Sequence, residues 1–293
     1  MSDVAAPVSV VTGANSGIGR ATAIHLSTQG HRVVGTVRSV ERAEKLRAMA
    51  ADAGATVELV EMDVADDDSV RGGFERISSL TRRVDHLVNN AGVGGNAVVE
   101  ECPPELYHEV MNVNVYGAMR CARAVLPQMR ERGAGTIVNV SSITGIFGAI
   151  GQAPYVASKW ALEGVSQELA LELAPFGVRV AIIEPGVTRS AILAKNVDAP
   201  NTTGAYDVHY QKLFHFYAAG RVGATDAFEV GRVIHHAITT DEPVLRYPVS
   251  WGGEELSSAV AHLRDEDWLE LGRIDDLDEY SAKFHEVFGL DLS

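Results

Sequence analysis

Short runs of β-branched residues alternate along the chain with longer Ala/Leu-rich or amphipathic stretches, the texture of repeated strand–helix units. The runs predict strands at Val8–Thr12, Arg32–Val37, Thr56–Glu61, His86–Val88, Thr136–Val140 and Val178–Ile183. Helices are predicted at Gly17–Gln29, Glu41–Ala53, Asp67–Leu80, Glu105–Glu131 and Tyr155–Leu173. Several strand segments are apolar almost throughout, as a parallel sheet covered on both faces requires. The expectation is an α/β fold built on a doubly wound parallel sheet, with ligands bound beyond the carboxyl ends of its strands.

After about residue 190 the texture changes. Thr188–Gly223 is a long excursion before a further helix at Asp226–Thr239. Within it Tyr206, Tyr210, Leu213, Phe214 and Tyr217 recur at helical spacing, either as an apolar lid or as a face packed on the domain or on a second subunit. The segment 254–293 holds twelve acidic residues against Arg264, Arg273 and Lys283, a net of −9. The organisation expected is one catalytic domain over 1–253, with a substrate loop at 188–223, followed by an acidic C-terminal extension over 254–293.

Composition narrows the function. At 293 residues, 46% hydrophobic and 22% charged, the chain has an ordinary globular make-up. Its net charge of −14 argues against nucleic acid or an anionic membrane as main partner, so an anionic ligand must be held by local positive potential. The longest uncharged stretch, Gly133–Ser158, is broken by polar residues and glycines and is a poor membrane span. Cys102 and Cys121 make neither a disulfide framework nor a metal spacing, and no signal-peptide pattern opens the sequence, so a reducing, cytoplasmic setting is expected. The adjacent His235 and His236 lack i, i+4 spacing and read as a helix surface, so no metal site is expected.

Thr12-Gly13-Ala14-Asn15-Ser16-Gly17-Ile18-Gly19 lies between the first strand and the first helix. Glycines at 13, 17 and 19 allow a tight turn and bring backbone amides and the positive helix end up to a pyrophosphate; a plain structural turn is the alternative. At the end of the second strand an NAD-preferring unit would carry an acid, whereas this chain has Arg38, followed by Ser39. A guanidinium fork there suits a 2′-phosphate, which favours NADP(H), with NAD(H) as the alternative carrier. Asp63-Val64 ends the third strand, where the carboxylate either meets the adenine amino group or caps the next helix. Asn89-Asn90-Ala91-Gly92 ends the fourth strand with small residues that let the chain pass beneath a cofactor.

Tyr155 and Lys159 stand at i and i+4 on a predicted helix, so phenol and ammonium share a face. The nearby cation should lower the phenol from its ordinary value of about 10 and make a general acid/base. Ser142 ends a strand upstream, with Ser141 beside it, and can present its hydroxyl to a carbonyl oxygen. Asn114 is a polar residue in an apolar helical stretch and asks for a buried partner.

Taken in order, Thr12-Gly13-x-x-x-Gly17-x-Gly19, Asn89-Asn90-Ala91-Gly92, Asn114, Ser142, Tyr155-x-x-x-Lys159 and Pro185-Gly186 resemble the short-chain dehydrogenase/reductase family. The resemblance covers about residues 8 to 190 and implies a Rossmann-like fold. It implies that Tyr155 exchanges a proton with the substrate oxygen while hydride moves between substrate carbon and nicotinamide. Lys159 would bind the nicotinamide ribose, Ser142 orient the carbonyl or alcohol, and Asn114 hold a proton-relay water. Pro185, Gly186 and Thr188 would support the nicotinamide, and Arg38 stands where NADP-using members carry a basic residue. Cofactor contacts would come from Gly13, Asn15, Ser16, Gly17, Ile18, Gly19, Arg38, Asp63, Val64, Asn90, Ala91, Gly92, Tyr155, Lys159, Pro185, Gly186 and Thr188. The run Tyr155–Gly164 with Ile183-Glu184-Pro185-Gly186 is most similar to the steroid- and retinoid-alcohol branch. The expected activity is NADP(H)-dependent alcohol/ketone oxidoreduction on a hydrophobic small molecule by a homodimer or homotetramer. The alternatives are a thioester or polyketide ketoreductase and a non-catalytic NADP-binding regulator.

Overall fold

The computed structural model describes residues 6–189 and 199–292. Seven parallel strands form one sheet: β1 (Val8–Val11), β2 (Arg32–Val37), β3 (Val57–Glu61), β4 (His86–Asn89), β5 (Gly135–Val140), β6 (Val178–Pro185) and β7 (Arg246–Val249), in the order β3-β2-β1-β4-β5-β6-β7. β1 pairs with both β2 and β4, so chain direction across the sheet reverses between β1 and β4 and opens a crevice above their carboxyl ends.

Side chains one residue apart point to opposite faces, and the core divides accordingly. Val11, Val33, Val37, Val88, Val138 and Val140 pack on one face, over α1 (Gly17–Thr28) and the helix Ala227–Thr239. Val10, Val34, Val60, Leu87 and Ile137 pack on the other, over α3 (Asp67–Leu80) and the helices after β4. Both faces are covered, which explains why the strands read as continuous apolar runs. The architecture is the Rossmann-like α/β fold.

Several elements differ from the sequence expectation. α2 (Glu44–Asp52) begins later than Glu41, and β7 appears where no strand was predicted. The single helix predicted over Glu105–Glu131 is instead α4 (Pro104–Met111), a π-helical turn at Asn112–Tyr116, and α5 (Gly117–Arg132). α6 spans Ala153–Leu173.

The tail end of the chain is helical: α7 (Asp207–Gly223), α8 (Ala227–Thr239), α9 (Gly253–Val260), α10 (Asp265–Arg273) and α11 (Leu277–Phe288). Tyr280, Phe284 and Phe288 line one face of α11 and bury against Ile143 and Phe147, just beyond β5. The carboxylates of 254–292 stand largely on the opposite, solvent side. Part of the predicted substrate loop, residues 190–198, lies outside the described residues. No described helix is long and apolar enough to cross a membrane.

Candidate active site

Every site residue predicted from the sequence lies at or just past the carboxyl end of a strand, in the first turn of α1, on the π turn, or in the first turns of α6. The β1–α1 turn is shaped by its glycines: Gly13 and Gly17 adopt φ of +66° and +51°, where a side chain is strained. A Cβ on Gly19 would stand 2.3 Å from Asn90 Nδ2 and 2.5 Å from the Gly13 carbonyl oxygen. Asn90 donates from Nδ2 to the Thr12 carbonyl at 2.9 Å, and the Thr12 hydroxyl accepts from the Asn90 and Ala91 amides at 3.0 Å each. The β1 and β4 ends are thereby locked together, with Ala91 and Gly92 beside them. Ser16 starts α1 without capping it through its side chain, so the first helical amides, including those of Ile18 and Gly19, remain for a ligand. Asn15 Oδ1 is buried with no partner among the described residues, and Asn15 Nδ2 donates to the Arg42 carbonyl at 2.9 Å. This amide-lined cradle, closed to any side chain at Gly19, fits a dinucleotide phosphate.

Arg38 is exposed directly after β2, whereas the Ser39 hydroxyl is spent on Glu41 Oε2 at 2.9 Å. Asp63 Oδ1 accepts from the Ala65 amide at 3.0 Å, and Asp66, not Asp63, caps α3 by accepting from the Ser69 amide at 2.6 Å. Val64 is buried against Gly117, where an added Cβ would meet it at 2.8 Å.

Asn114 finds the buried partners its position demands. Oδ1 accepts from the Val93 amide at 2.8 Å, while Nδ2 donates to the Val93 carbonyl and to Ser158 Oγ, both at 3.0 Å. The extra residue of the π turn aims this side chain at the loop after β4, and such π turns recur at functional sites. A second buried ladder runs from Asn89 Nδ2 to Asn139 Oδ1 at 2.9 Å and from Asn139 Nδ2 to Ser166 Oγ at 2.8 Å, fixing α6 over the strand ends.

Ser142 Oγ accepts from the Thr144 amide at 3.2 Å and from the Thr144 hydroxyl at 3.1 Å, and it lies on the Tyr155 side. Tyr155 keeps part of its surface exposed, but its hydroxyl end is deep, and burial raises the phenol above its ordinary value while the Ser142 hydroxyl draws it partly back. The i, i+4 spacing predicts the opposite direction. The ammonium does not deliver it because Lys159 Nζ donates to the Val140 carbonyl at 2.9 Å and stands 5.5 Å from the centre of the Tyr155 ring. Burial also brings Lys159 down to about 8, opposed by the Glu163 carboxylate.

Behind Lys159 lies a charged cluster that no local motif announces. Arg246 Nε on β7 stands 3.1 Å from Glu163 Oε2 on α6 and 3.1 Å from Glu184 Oε1 on β6. Burial and the neighbouring Glu163 charge push Glu184 up to about 7, against the pull of Arg246. The cue in the sequence was an acid, Glu184, within an apolar strand.

The short chain dehydrogenase family model matches residues 7–201. Human 17-beta-hydroxysteroid dehydrogenase type 1 is 35% identical over 257 residues, 83% of this chain and 77% of that protein. The chain belongs to the short-chain dehydrogenase family. It is an oxidoreductase of the class acting on CH–OH groups. A crystal structure of a short-chain dehydrogenase from Streptomyces avermitilis superposes with a TM-score of 0.79 at 33% identity, over 94% of this chain and 100% of that one. A variant of actinorhodin polyketide ketoreductase, solved with NADPH, superposes with a TM-score of 0.68 at 30% identity, over 80% and 90% of the two chains.

In this short-chain dehydrogenase the Pro185-Gly186 turn packs so tightly that a Cβ on Gly186 would lie 2.1 Å from the Trp251 carbonyl oxygen. The Thr188 hydroxyl is shared with Ser250 Oγ at 2.9 Å. Within the predicted substrate loop Tyr210 and Leu213 of α7 are buried beside Val98, while Phe214 is 38% exposed, so the predicted apolar stripe is divided between packing and surface. Tyr217 Oη donates to Asn96 Oδ1 at 3.0 Å and accepts from Gln152 Nε2 at 2.7 Å. Neither Asn96 nor Gln152 was marked by a motif. From the other side Lys212 Nζ donates to the Leu271 and Gly272 carbonyls at 3.1 Å each and sits 5.2 Å from the Tyr280 ring centre, tying α7 to the C-terminal helices. Cys102 and Cys121 are free thiols, and no group among the described residues is arranged to hold a metal. His235 is not a simple surface residue: its ring packs at 5.6 Å against both His25 and His31.

Proposed function

We propose that the protein is an NADP(H)-dependent oxidoreductase that interconverts a secondary alcohol and a ketone on a bulky hydrophobic small molecule. The observation that carries this reading is the convergence of Ser142, Tyr155 and Lys159 beyond β5, beside the glycine cradle of the β1–α1 turn. Gly13, Asn15, Ser16, Gly17, Ile18 and Gly19 hold the pyrophosphate, Arg38 meets the 2′-phosphate, and Asp63 and Val64 border the adenine. Asn90, Ala91 and Gly92 line the floor, with Pro185, Gly186 and Thr188 beside the nicotinamide. The nicotinamide supplies or accepts the hydride. In the reducing direction the Tyr155 hydroxyl gives its proton to the carbonyl oxygen, which the Ser142 hydroxyl also contacts. Lys159 turns from the Val140 carbonyl to the ribose hydroxyls and stabilises the phenolate left on Tyr155. Asn114 holds the loop after β4, and the remaining lone pair of Oδ1 accepts from a relay water.

The likeness to a steroid dehydrogenase supports a large apolar substrate. The NADPH-bound ketoreductase relative supports the choice of cofactor, and it also favours a second reading, reduction of a carrier-bound thioester. The acidic exterior speaks against docking an anionic carrier. A homodimer or homotetramer fits, since Tyr116 at the end of the π turn and Trp160 and Leu171 on α6 expose apolar surface. The test is NADPH consumption across steroid, retinal, aromatic-ketone and thioester substrates. Turnover of the bulky ketones supports the first reading, and turnover confined to thioesters supports the second.

A further inference from the structure

Lys159 and Glu163 lie one helical turn apart on α6, and both are almost fully buried, at 6% and 3% exposure. A carboxylate so placed is costly unless it is paired. Arg246 Nε stands 3.1 Å from Glu163, and the Lys159 ammonium, one turn back on the same helix and held by the Val140 carbonyl at 2.9 Å, lies within reach of the Glu163 charge. Arg246 is shared with Glu184, which is fully buried and whose two oxygens accept no hydrogen bond among the described residues. Glu163 Oε1 likewise has no donor among the described residues. The charged groups facing Glu163 are therefore Lys159 from its own helix, Glu184 from β6 and Arg246 from β7, and the end of β5 adds the Ser141 hydroxyl. Gly145 keeps this chamber closed, since a Cβ there would meet Ser141 Oγ at 2.7 Å and the Glu163 side chain at 3.0 Å.

When both are ionised, two carboxylates against one guanidinium leave a net negative charge, which acts on the next nearest cation. Glu163 is the carboxylate beside Lys159. We propose that Glu163, clamped by Arg246 against Glu184, is a positioning residue that keeps the Lys159 ammonium charged behind Tyr155. It acts through Lys159 and touches neither substrate nor cofactor. This rests on the reading of Lys159 as the cation of the catalytic pair. Glu184 opposes the effect, because its own ionisation raises the cost of ionising Glu163.

The test reads the ammonium directly. In the full-length protein with 13C,15N-labelled lysine, the Lys159 side-chain resonance is assigned by its loss in Lys159→Met and titrated by NMR. Glu163→Gln should move the Lys159 midpoint to lower pH by about one unit, the scale of an opposite charge nearby. In Glu184→Gln, which relieves the competition, the midpoint should not fall. Superimposable curves for wild type and Glu163→Gln, or equal falls in both variants, overturn the proposal. Where Glu163→Gln does not fold, the wild-type curve decides: Lys159 should show a second inflection as the carboxyl pair ionises, and a single inflection contradicts the coupling. In turnover, the alkaline limb of kcat/KM should move with the Lys159 midpoint in Glu163→Gln and return towards wild type in Glu163→Asp; an alkaline limb that stays in place overturns the proposal. Because NMR sees the ammonium without turnover, a protein inactive on every ketone would defeat the functional reading and leave this result standing.

Discussion

Replacing Asn114 by Ala removes three hydrogen bonds at once. The Val93 amide and carbonyl lose their partner and Ser158 Oγ loses its donor, although Ser158 still donates to the Tyr155 carbonyl at 2.7 Å. A net worth of about 1 kcal/mol per bond gives a loss near 3 kcal/mol. The half-buried Val93 groups can recover water, which holds the figure below the full desolvation cost. Asn114 also keeps the loop after β4 against the π turn, so its loss should loosen the cofactor floor and weaken NADPH binding as well as turnover. The assay is urea unfolding followed by fluorescence, together with NADPH titration. A stability change below about 1 kcal/mol with unchanged NADPH affinity would refute the account of this residue as the tie between the π turn and the floor.

Arg38→Asp should reverse the preference for NADPH over NADH, because an exposed cation after β2 becomes a carboxylate facing the 2′-phosphate; an unchanged ratio of the two dissociation constants counts against the assignment. Burial pushes His31 and His86 down to about 4, with further lowering from neighbouring His235 and His31 respectively. Between the ordinary value near 6.5 and about 4 the unfolded chain binds protons that the folded one refuses, so stability should fall across that window and level off below it. The loss should be on the order of 3 kcal/mol for the pair, less than the full linkage value because the rings interact and His86 is only partly buried. Urea midpoints at pH 6.5 and 4.5, compared with a His31→Gln/His86→Gln variant, check this; equal slopes in both proteins argue against it.

What could be read from the sequence follows from how far apart the interacting residues lie. The cradle, the Tyr155–Lys159 pair and six strands are local patterns, and all were legible. β7 was not: Arg246–Val249 is four residues long and contains Pro248, which an edge strand tolerates because one side of it needs no ladder partner. The π turn was hidden because helical texture runs on through Asn112–Tyr116, and only the polar Asn112 and Asn114 interrupted it. In 254–293 the charge dominated the reading, although Tyr280, Phe284 and Phe288 at i, i+4 and i+8 were the pattern of a buried helix face. The cluster of Glu163, Glu184 and Arg246 draws on one helix and two strands, and only the sheet brings them together.

The central claim is that Tyr155 moves the proton. Tyr155→Phe keeps the ring and removes the hydroxyl that Ser142 contacts and the substrate oxygen would meet. With a ketone that the wild type reduces, NADPH titration should give wild-type affinity while kcat falls by at least about a hundredfold, the scale of a lost general acid. A Tyr155→Phe protein with near-normal kcat would contradict the account.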